Sequence, residues 1–341
     1  VAYFVQAKEG QYGLTTELAL ALGFVLGVLV AFGHPAEALA VSVVATVLLS
    51  LKEEFHQFVK QITETELAAF IKFFVLALLM LLLLPDQHFG PENLLHYREL
   101  GWIVVLVSSI SFAGYLALKF TGAKRGLLLT ALLGGLFSST MIAWVFAARS
   151  RETPDLARPL GAGILLSSSV MYVRVVLLTA LFNSAVAWQL ALPCLLMLLA
   201  TLTCVWIYMR DWEKNQSSAQ LPLGNPLDLK NALFFGLLYI GVTLFMYYSR
   251  LWFGEAGSYW SGVISGIADM DAITISTAKW GQQATQQAYS ANLIMVAALS
   301  NTVFKSGAAL LRGHRSLHKY LYTGFGLVLL LGLGWLGLRL L

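Results

Sequence analysis

Apolar runs close to 20 residues long recur along the whole chain. A helix of about 20 apolar residues crosses the roughly 30 Å of hydrocarbon in a bilayer. Only 12% of the 341 residues are charged, whereas a soluble domain carries about 25%. The sequence therefore predicts an all-α, polytopic integral membrane protein with about 9 to 11 membrane helices. The predicted runs are 14–32, 35–51, 67–84, 101–118, 126–148, 159–182, 186–209, 229–248, 259–278, 288–311 and 320–340.

Charge and motif content exclude several classes of function. The net charge is +4, and the basic residues lie in short loops, which is a signature of membrane topology and not of nucleic-acid binding. The sequence has no Walker A loop, no Ser/His/Asp arrangement and no C-x-x-C, so we expect a non-enzyme without a cofactor. Cys194 and Cys204, roughly 15 Å apart on one helix, are expected to be packing residues. The chain opens on Val1 without signal-peptide features, and we expect an N-terminal truncation.

Two stretches of the chain align with each other without gaps at a shift of 131 residues. Run 101–118 then falls on 232–249 and run 186–209 on 317–340, so four consecutive elements match four others. We predict N-terminal membrane helices over 1–85, a first repeat over 97–210 and a second repeat over 225–341. The alternative is that two helical bundles agree by chance.

Polar residues inside the matched motifs GGLFSSTMI (134–142) and SGIADMDAI (265–273), together with Asn301, are the candidate binding residues. Side chains at i and i+2 of a continuous helix diverge by about 200°, so both can face one site only where the helix is broken. Glycines that precede the polar residues in each motif (Gly134, Gly135 and Gly266) favour a break, and carboxylates at membrane depth are costly without a role. We predict an unwound or hairpin tip at each motif; the alternative is a straight helix with a glycine-rich packing face. The predicted ion- or substrate-binding residues are Ser138, Ser139, Thr140, Asp269, Asp271 and Asn301.

Two cations occupy matching positions inside apolar runs. Arg174 falls on Lys305 at the shift of 131. Each could extend toward an interface, could neutralise Asp269 or Asp271, or could bind an anionic substrate. His314 and His318 have a spacing that can hold a metal, but a solvated basic loop is the favoured interpretation, and the sequence assigns no metal.

The distribution of loop charges constrains the topology. If all eleven runs cross the membrane, Lys and Arg divide almost evenly between its two sides. If 126–148 and 259–278 are instead re-entrant, the loops with most of the Lys and Arg residues all lie on one side of the membrane. The other side then keeps only Arg98, Arg250, Lys279 and Arg339. That arrangement predicts repeats that are inverted relative to each other, with broken elements meeting near the midplane.

The motifs GGLFSST and SGIADMDAITIS resemble those of MgtC/SapB-type membrane proteins whose long members carry a C-terminal "domain of unknown function 4010". The resemblance extends over 13–27, 51–70 and 109–122. It implies a bacterial or archaeal cytoplasmic (inner) membrane protein, with a loose link to magnesium homeostasis. The resemblance also implies that the first part of the MgtC/SapB region is missing from this sequence.

Three classes of function remain open at this stage. The leading hypothesis is a secondary transporter or ion-conducting protein with one central polar site. Oxygen ligands suit a small cation such as Na⁺, H⁺ or Mg²⁺, whereas Arg174 and Lys305 suit a small anionic solute coupled to a cation. The second class is a regulatory or scaffold membrane protein, and the third is an intramembrane enzyme that uses the two aspartates. The expected partners are the lipid bilayer and a small ion or solute; homo-oligomer formation is left open.

Overall fold

A computed structural model describes residues 14–50, 64–121, 127–210, 229–281 and 284–340. Contacts divide the chain into two compact units, Val1–Leu67 and Ala68–Leu341. The helices are α1 (Leu14–Ala31), α2 (Pro35–Ser50), α3 (Glu64–Leu83), α4 (Tyr97–Thr121), α5 (Leu127–Glu152), α6 (Ala157–Phe182), α7 (Ser184–Met209), α8 (Leu229–Ala268), α9 (Met270–Trp280), α10 (Gln287–Arg312) and α11 (Arg315–Leu340). Two short antiparallel strands, β1 (His88–Phe89) and β2 (Leu95–His96), precede α4.

Six helical segments of the described residues are long and apolar enough to cross a membrane. They are Leu127–Glu152, Pro154–Phe182, Ser184–Met209, Leu233–Ala268, Gln287–Arg312 and Arg315–Arg339. Shorter apolar helices cover Ala19–Ala31, Pro35–Thr46 and Phe70–Leu83. The chain is thus a helical, multi-pass membrane-type protein, as its apolar runs predict; the count of 9 to 11 membrane helices stays a prediction.

Each unit has its own internal packing. In the first unit, α1 packs against α2. In the second unit, α6 and α10 are the most enclosed of the long apolar helices, and α5, α7 and α11 pack around them. Small residues such as Gly161, Ala162 and Gly163 at the start of α6 let neighbouring helices approach closely. Cys194 and Cys204 are both buried and unpaired, in agreement with the predicted packing role.

Helix α5 folds back on itself at Ser138. A Cβ atom added to Gly163 would lie 2.9 Å from Phe146 Cδ2 and 3.1 Å from Leu127 Cδ2, so both ends of α5 contact the same point of α6. Residues 127 and 146 of a straight helix would be about 28 Å apart. The extended backbone of Ser138 (φ −159°, ψ 101°) is the only non-helical position within α5. We name α5 the first hairpin.

A second hairpin consists of residues 255–268 and α9. Tyr289 donates a hydrogen bond of 3.3 Å to the Glu255 carbonyl, and a Cβ atom added to Gly281 would lie 2.9 Å from Ser290 Oγ. Both ends of this segment therefore meet the start of α10, although a straight helix over the same 26 residues would be about 39 Å long.

The two hairpins enter the helix bundle from opposite ends. Arg151 donates to the Leu311 carbonyl at 2.8 Å, which places the open end of the first hairpin at the C-terminal end of α10. The second hairpin opens at the N-terminal end of α10, and Asn183, after α6, donates to the Ala278 carbonyl at 3.2 Å. We name these ends of the bundle the first end and the second end.

The predicted runs 229–248 and 259–278 are separate helical segments, divided within α8 by a kink at Gly254; the second run also contains the break at Asp269. Gly254 has φ 61°, a left-handed conformation that glycine adopts without the steric penalty of a Cβ atom. The chain therefore turns from α8 into the second hairpin at one residue and needs no loop.

Candidate functional site

The tips of both hairpins line one cavity of about 700 Å³. All eight predicted binding and charge-pairing residues line it: Ser138, Ser139, Thr140, Arg174, Asp269, Asp271, Asn301 and Lys305. Arg174 lies in the second half of α6 and Lys305 in the second half of α10. The tertiary structure therefore brings together residues from four separate parts of the sequence, at positions well inside their helices.

The helix break predicted at each motif is present. Ser138 has extended backbone, and its Oγ accepts a hydrogen bond of 3.3 Å from Met141 N. Asp269 has the same conformation (φ −157°, ψ 123°), and its Oδ1 accepts a hydrogen bond of 2.8 Å from Ala272 N. Each residue is the N-cap of the helical segment that follows, a role for which serine and aspartate are among the preferred residues. The straight helix is excluded at both motifs.

The glycines near each motif have a different role from the predicted one. Gly135 and Gly266 are not the positions at which the helices break. A Cβ atom added to Gly135 would lie 2.7 Å from the Ser167 carbonyl oxygen of α6, and one added to Gly266 would clash with the backbone of Ala297 in α10, 2.8 Å from its Cα. Glycine at these positions lets each hairpin pack directly against the backbone of the next helix.

Arg174 and Asp271 form a largely enclosed ion pair across the cavity. Arg174 Nη2 contacts Asp271 Oδ2, and the two side chains are 17% and 15% exposed. Arg174 Nη1 also lies 3.5 Å from the Leu136 carbonyl at the tip of the first hairpin. The guanidinium group therefore connects α6, the first hairpin and the second hairpin.

Lys305 has a different environment although it occupies the matching position in sequence. Its Nζ donates to Ser139 Oγ at 2.7 Å and lies 3.5 Å from Met171 Sδ, and the residue is 2% exposed. Among the described residues, no carboxylate oxygen lies within 4.0 Å of this ammonium group. A buried charge without a carboxylate in contact is costly, so we expect the ammonium group of Lys305 to have a functional role or a compensating interaction.

Asn301 lies one helical turn before Lys305 on α10. Its Nδ2 donates to the Gly266 carbonyl at 2.6 Å, at the end of the first segment of the second hairpin. Its Oδ1 is buried and has no hydrogen-bond partner in the described part of the chain, although the residue lines the cavity. Asn301, a residue of the cavity lining, therefore has one buried acceptor atom whose hydrogen-bonding capacity is unused.

Sequence reasoning missed the apolar wall and one hydroxyl group. Ser108 of α4, Phe234, Phe235 and Leu238 of α8 and Phe304 of α10 also line the cavity. The pair Ser108–Ser109 inside an apolar run was a usable signal for the hydroxyl. Phenylalanine inside an apolar helix carries no such signal, because lipid-facing and cavity-facing aromatic residues look alike in sequence.

Metal binding has limited support in this arrangement. Within the described ranges, no group of three or more His, Cys, Asp or Glu residues could hold a metal ion. His314 Nδ1 lies 2.9 Å from Ser316 Oγ, and His318 Nε2 lies 3.0 Å from the Leu310 carbonyl, so the two rings contact different local partners. The cavity itself offers carboxylate and hydroxyl oxygens together with two cations.

Comparison with known proteins supports the part of the resemblance that rests on the motifs. Residues 105–313 match the family described as "Domain of unknown function (DUF4010)". An uncharacterized protein of Aquifex aeolicus (strain VF5) is 31% identical over 205 residues, covering 60% of this chain and 89% of that protein. No solved structure matches. The family match begins after 13–27 and 51–70, so the resemblance to MgtC/SapB proteins stays a prediction. The chain belongs to the DUF4010 family.

Proposed function

We propose that the protein is a secondary transporter that moves a small solute through the cavity at the hairpin tips. The observation that carries this proposal is the meeting of two broken hairpins, entering from opposite ends of the bundle, at one polar cavity. Broken elements of this kind are tolerated at membrane depth where they line a cavity. In many transporters such elements surround a site near the midplane.

An inverted repeat is the second part of the proposal. The two N-cap residues, Ser138 and Asp269, are 131 residues apart. Helix α7, shifted by the same number, has the bounds of α11, and α6 matches α10 to within one residue. The opposite entry of the hairpins supports an inversion of the second copy relative to the first. Such a pair of copies can exchange conformations and so open the cavity to alternate sides.

Loop charges support an orientation in a bacterial or archaeal cytoplasmic membrane. Among the described residues at the first end are Arg149, Arg151, Arg158, Arg210, Arg312, Arg315 and Lys319, with Glu152 and Asp155. Those at the second end are Arg98, Arg250, Lys279 and Arg339, with Asp86, Glu92, Glu99 and Glu255. Because cytoplasmic loops carry the excess of Lys and Arg, the first end faces the cytoplasm in this proposal.

Accessibility of the cavity tests transport against a scaffold role. Thr140 lines the cavity and is an exposed residue, so we would replace it with cysteine in a Cys194→Ala, Cys204→Ala background. A membrane-impermeant maleimide is then applied to sealed vesicles of either orientation. A transporter that alternates between two open states exposes this thiol to both sides, so labelling is expected in both vesicle preparations.

The matched control is Leu132→Cys on the same hairpin. Leu132 is 38% exposed but lies outside the cavity lining, so an aqueous reagent should label it weakly from both sides. Labelling of Thr140→Cys from one side only, at the rate of a permanently open pocket, would contradict alternating access. That result would favour the regulatory or scaffold role.

A further inference from the structure

We propose that the solute is a small organic carboxylate with a hydrogen-bond donor next to the carboxylate and a modest apolar part. The carboxylate binds between Lys305 and the start of the second segment of the first hairpin, and the donor faces Asn301 Oδ1. This inference rests on the proposed transport function and specifies its substrate class.

The charges at the two hairpin tips are not equivalent. In the second hairpin, Asp271 is neutralised by Arg174, and Asp269 lies at the positive N-terminal end of α9, where it accepts from Ala272 N. The first hairpin has the neutral Ser138 at the matching N-cap position. Lys305 contacts this hairpin through Ser139. The first tip therefore combines a buried ammonium group and a helix N-terminus without a carboxylate of its own.

Backbone and side-chain donors at this tip converge on the same region. The first N–H groups of a helix have no partner within it, and they attract an anion. Ser138 Oγ accepts from the N–H of Met141, the third residue of this segment. Its first two residues, Ser139 and Thr140, line the cavity, and at a helix start the N–H groups of such residues have no partner within the helix. Together with Lys305 Nζ and two hydroxyl groups, they form a set of donors that suits a carboxylate.

Asn301 is the independent observation that points to a ligand. Asn301 lines the cavity and is 6% exposed, and its buried Oδ1 has no hydrogen-bond partner among the described residues. An unpaired buried acceptor destabilises the protein, and a donor on the solute would remove that penalty. Because residues 301 and 305 are one turn apart on the same face of α10, the donor must lie close to the carboxylate.

The rest of the cavity suits an apolar group. Phe234, Phe235, Leu238 and Phe304 form one wall, and the cavity volume is about 700 Å³. One water molecule occupies roughly 30 Å³ in the liquid, so the cavity is far larger than a bare metal ion requires. A solute of several carbon atoms fits both its volume and its lining better than an inorganic ion does.

Four compounds that share one carbon skeleton test each part of this inference. The probes are 2-hydroxy-4-methylpentanoate, leucine, 4-methylpentanoate and 2-hydroxy-4-methylpentanamide, each at about 10 mM, tenfold above a 1 mM dissociation constant. Thermal stabilisation of the purified wild-type chain in detergent is measured, because a ligand that binds only the folded protein raises its melting temperature. The hydroxy acid or leucine should bind at least about tenfold more tightly than either the acid without a donor or the neutral amide.

Variants then assign the contacts. Lys305→Gln should abolish carboxylate binding, and Asn301→Ala should remove the preference for the compounds with a donor. The matched control is Lys279→Gln, because Lys279 pairs with Glu99 at the second end of the bundle and lies outside the cavity. Unchanged binding of the carboxylate probes to Lys305→Gln would overturn the inference. Equal binding of 2-hydroxy-4-methylpentanamide and 2-hydroxy-4-methylpentanoate to the wild-type protein would overturn it as well. The comparison of the four probes uses the wild-type protein, so it tests the proposed substrate class even if Lys305→Gln fails to fold.

Failure of this inference can be separated from failure of the transport proposal. If no probe stabilises the wild-type chain but Thr140→Cys is labelled from both sides, the substrate class is wrong and transport stands. If Thr140→Cys is labelled from one side only and the acids still bind, the cavity is a carboxylate receptor without transport.

Discussion

At the scale of single residues, Arg174 and Lys305 differ in what they contact although they occupy matching sequence positions. Arg174 forms an ion pair with Asp271, whereas Lys305 contacts a hydroxyl group and a thioether. Removing one partner of a buried ion pair leaves the other charge uncompensated, which costs about 3–5 kcal/mol. The two cations should therefore respond differently to neutral substitutions.

Arg174→Gln is expected to destabilise the protein by about 3 kcal/mol or more, because it leaves Asp271 without its counter-ion. Adding Asp271→Asn to the same chain should recover much of that loss. The free energies of unfolding of the two single variants and the double variant form the cycle that isolates the pairwise interaction. Lys305→Gln, with no carboxylate in contact, is the comparison and should cost clearly less. Additive effects of Arg174→Gln and Asp271→Asn would show that the pair contributes nothing.

At the scale of elements, each hairpin depends on close contact with the helix that follows it. Gly135 of the first hairpin touches the backbone of α6 at Ser167, and Gly266 of the second touches α10 at Ala297. Side chains can rotate away from an added methyl group, but a helix backbone cannot. Backbone packing at these glycines therefore determines how far each hairpin tip extends into the helix bundle.

Gly135→Ala should lower the melting temperature, because the new Cβ would lie 2.7 Å from the Ser167 carbonyl oxygen. Overpacking of this kind costs about 1–3 kcal/mol. The control is Gly241→Ala in α8, where no atom lies within 4 Å of the added Cβ. That change should be neutral or stabilising by up to about 1 kcal/mol, because alanine is the better helix former. Equal melting temperatures for the two variants would argue against backbone contact as the determinant of hairpin position.

At the scale of the whole molecule, the hairpins open at opposite ends of one bundle. Ser150 Oγ accepts a hydrogen bond of 2.9 Å from His314 N at the first end, and Arg339 donates to Gln189 Oε1 at 2.6 Å at the second. Helices α7 and α11 therefore run in opposite directions, as an inverted pair of copies requires. This arrangement predicts on which side of the membrane the ends of each hairpin lie, and chemical labelling can test that prediction.

Single cysteines at Lys124 and Glu152 should be labelled from the cytoplasmic side, and cysteines at Ala256 and Thr285 from the opposite side. Each is introduced into the background without Cys194 and Cys204, which are buried. The physical reason is that both ends of a re-entrant hairpin lie on one face of the membrane. Reaction of Lys124→Cys and Glu152→Cys from opposite faces would mean that the first hairpin crosses the membrane, and would remove the basis of the inverted arrangement.

Hydrophobic periodicity and composition were sufficient to predict the apolar helices and to single out the polar residues inside them. Both predictions are possible because the bilayer is the solvent of these segments. Apolar stretches long enough to span it must be helical, and charges inside them must face protein or water. The structure accordingly places all eight predicted residues in one cavity. The sequence also predicted a helix break at each motif, from glycines and from polar residues two positions apart, and the structure places these breaks at Ser138 and Asp269, which cap the segments that follow.

Which residues contact one another depended on the packing of helices that are distant in sequence. Arg174 and Lys305 are equivalent in the alignment of the two halves, yet only Arg174 contacts a carboxylate. The apolar wall of Phe234 and Phe235 was likewise invisible in sequence, because their hydrophobicity is the same whether they face lipid or cavity. Contacts of this kind depend on the distance and rotation between packed helices, and a one-dimensional pattern of hydrophobicity contains neither quantity.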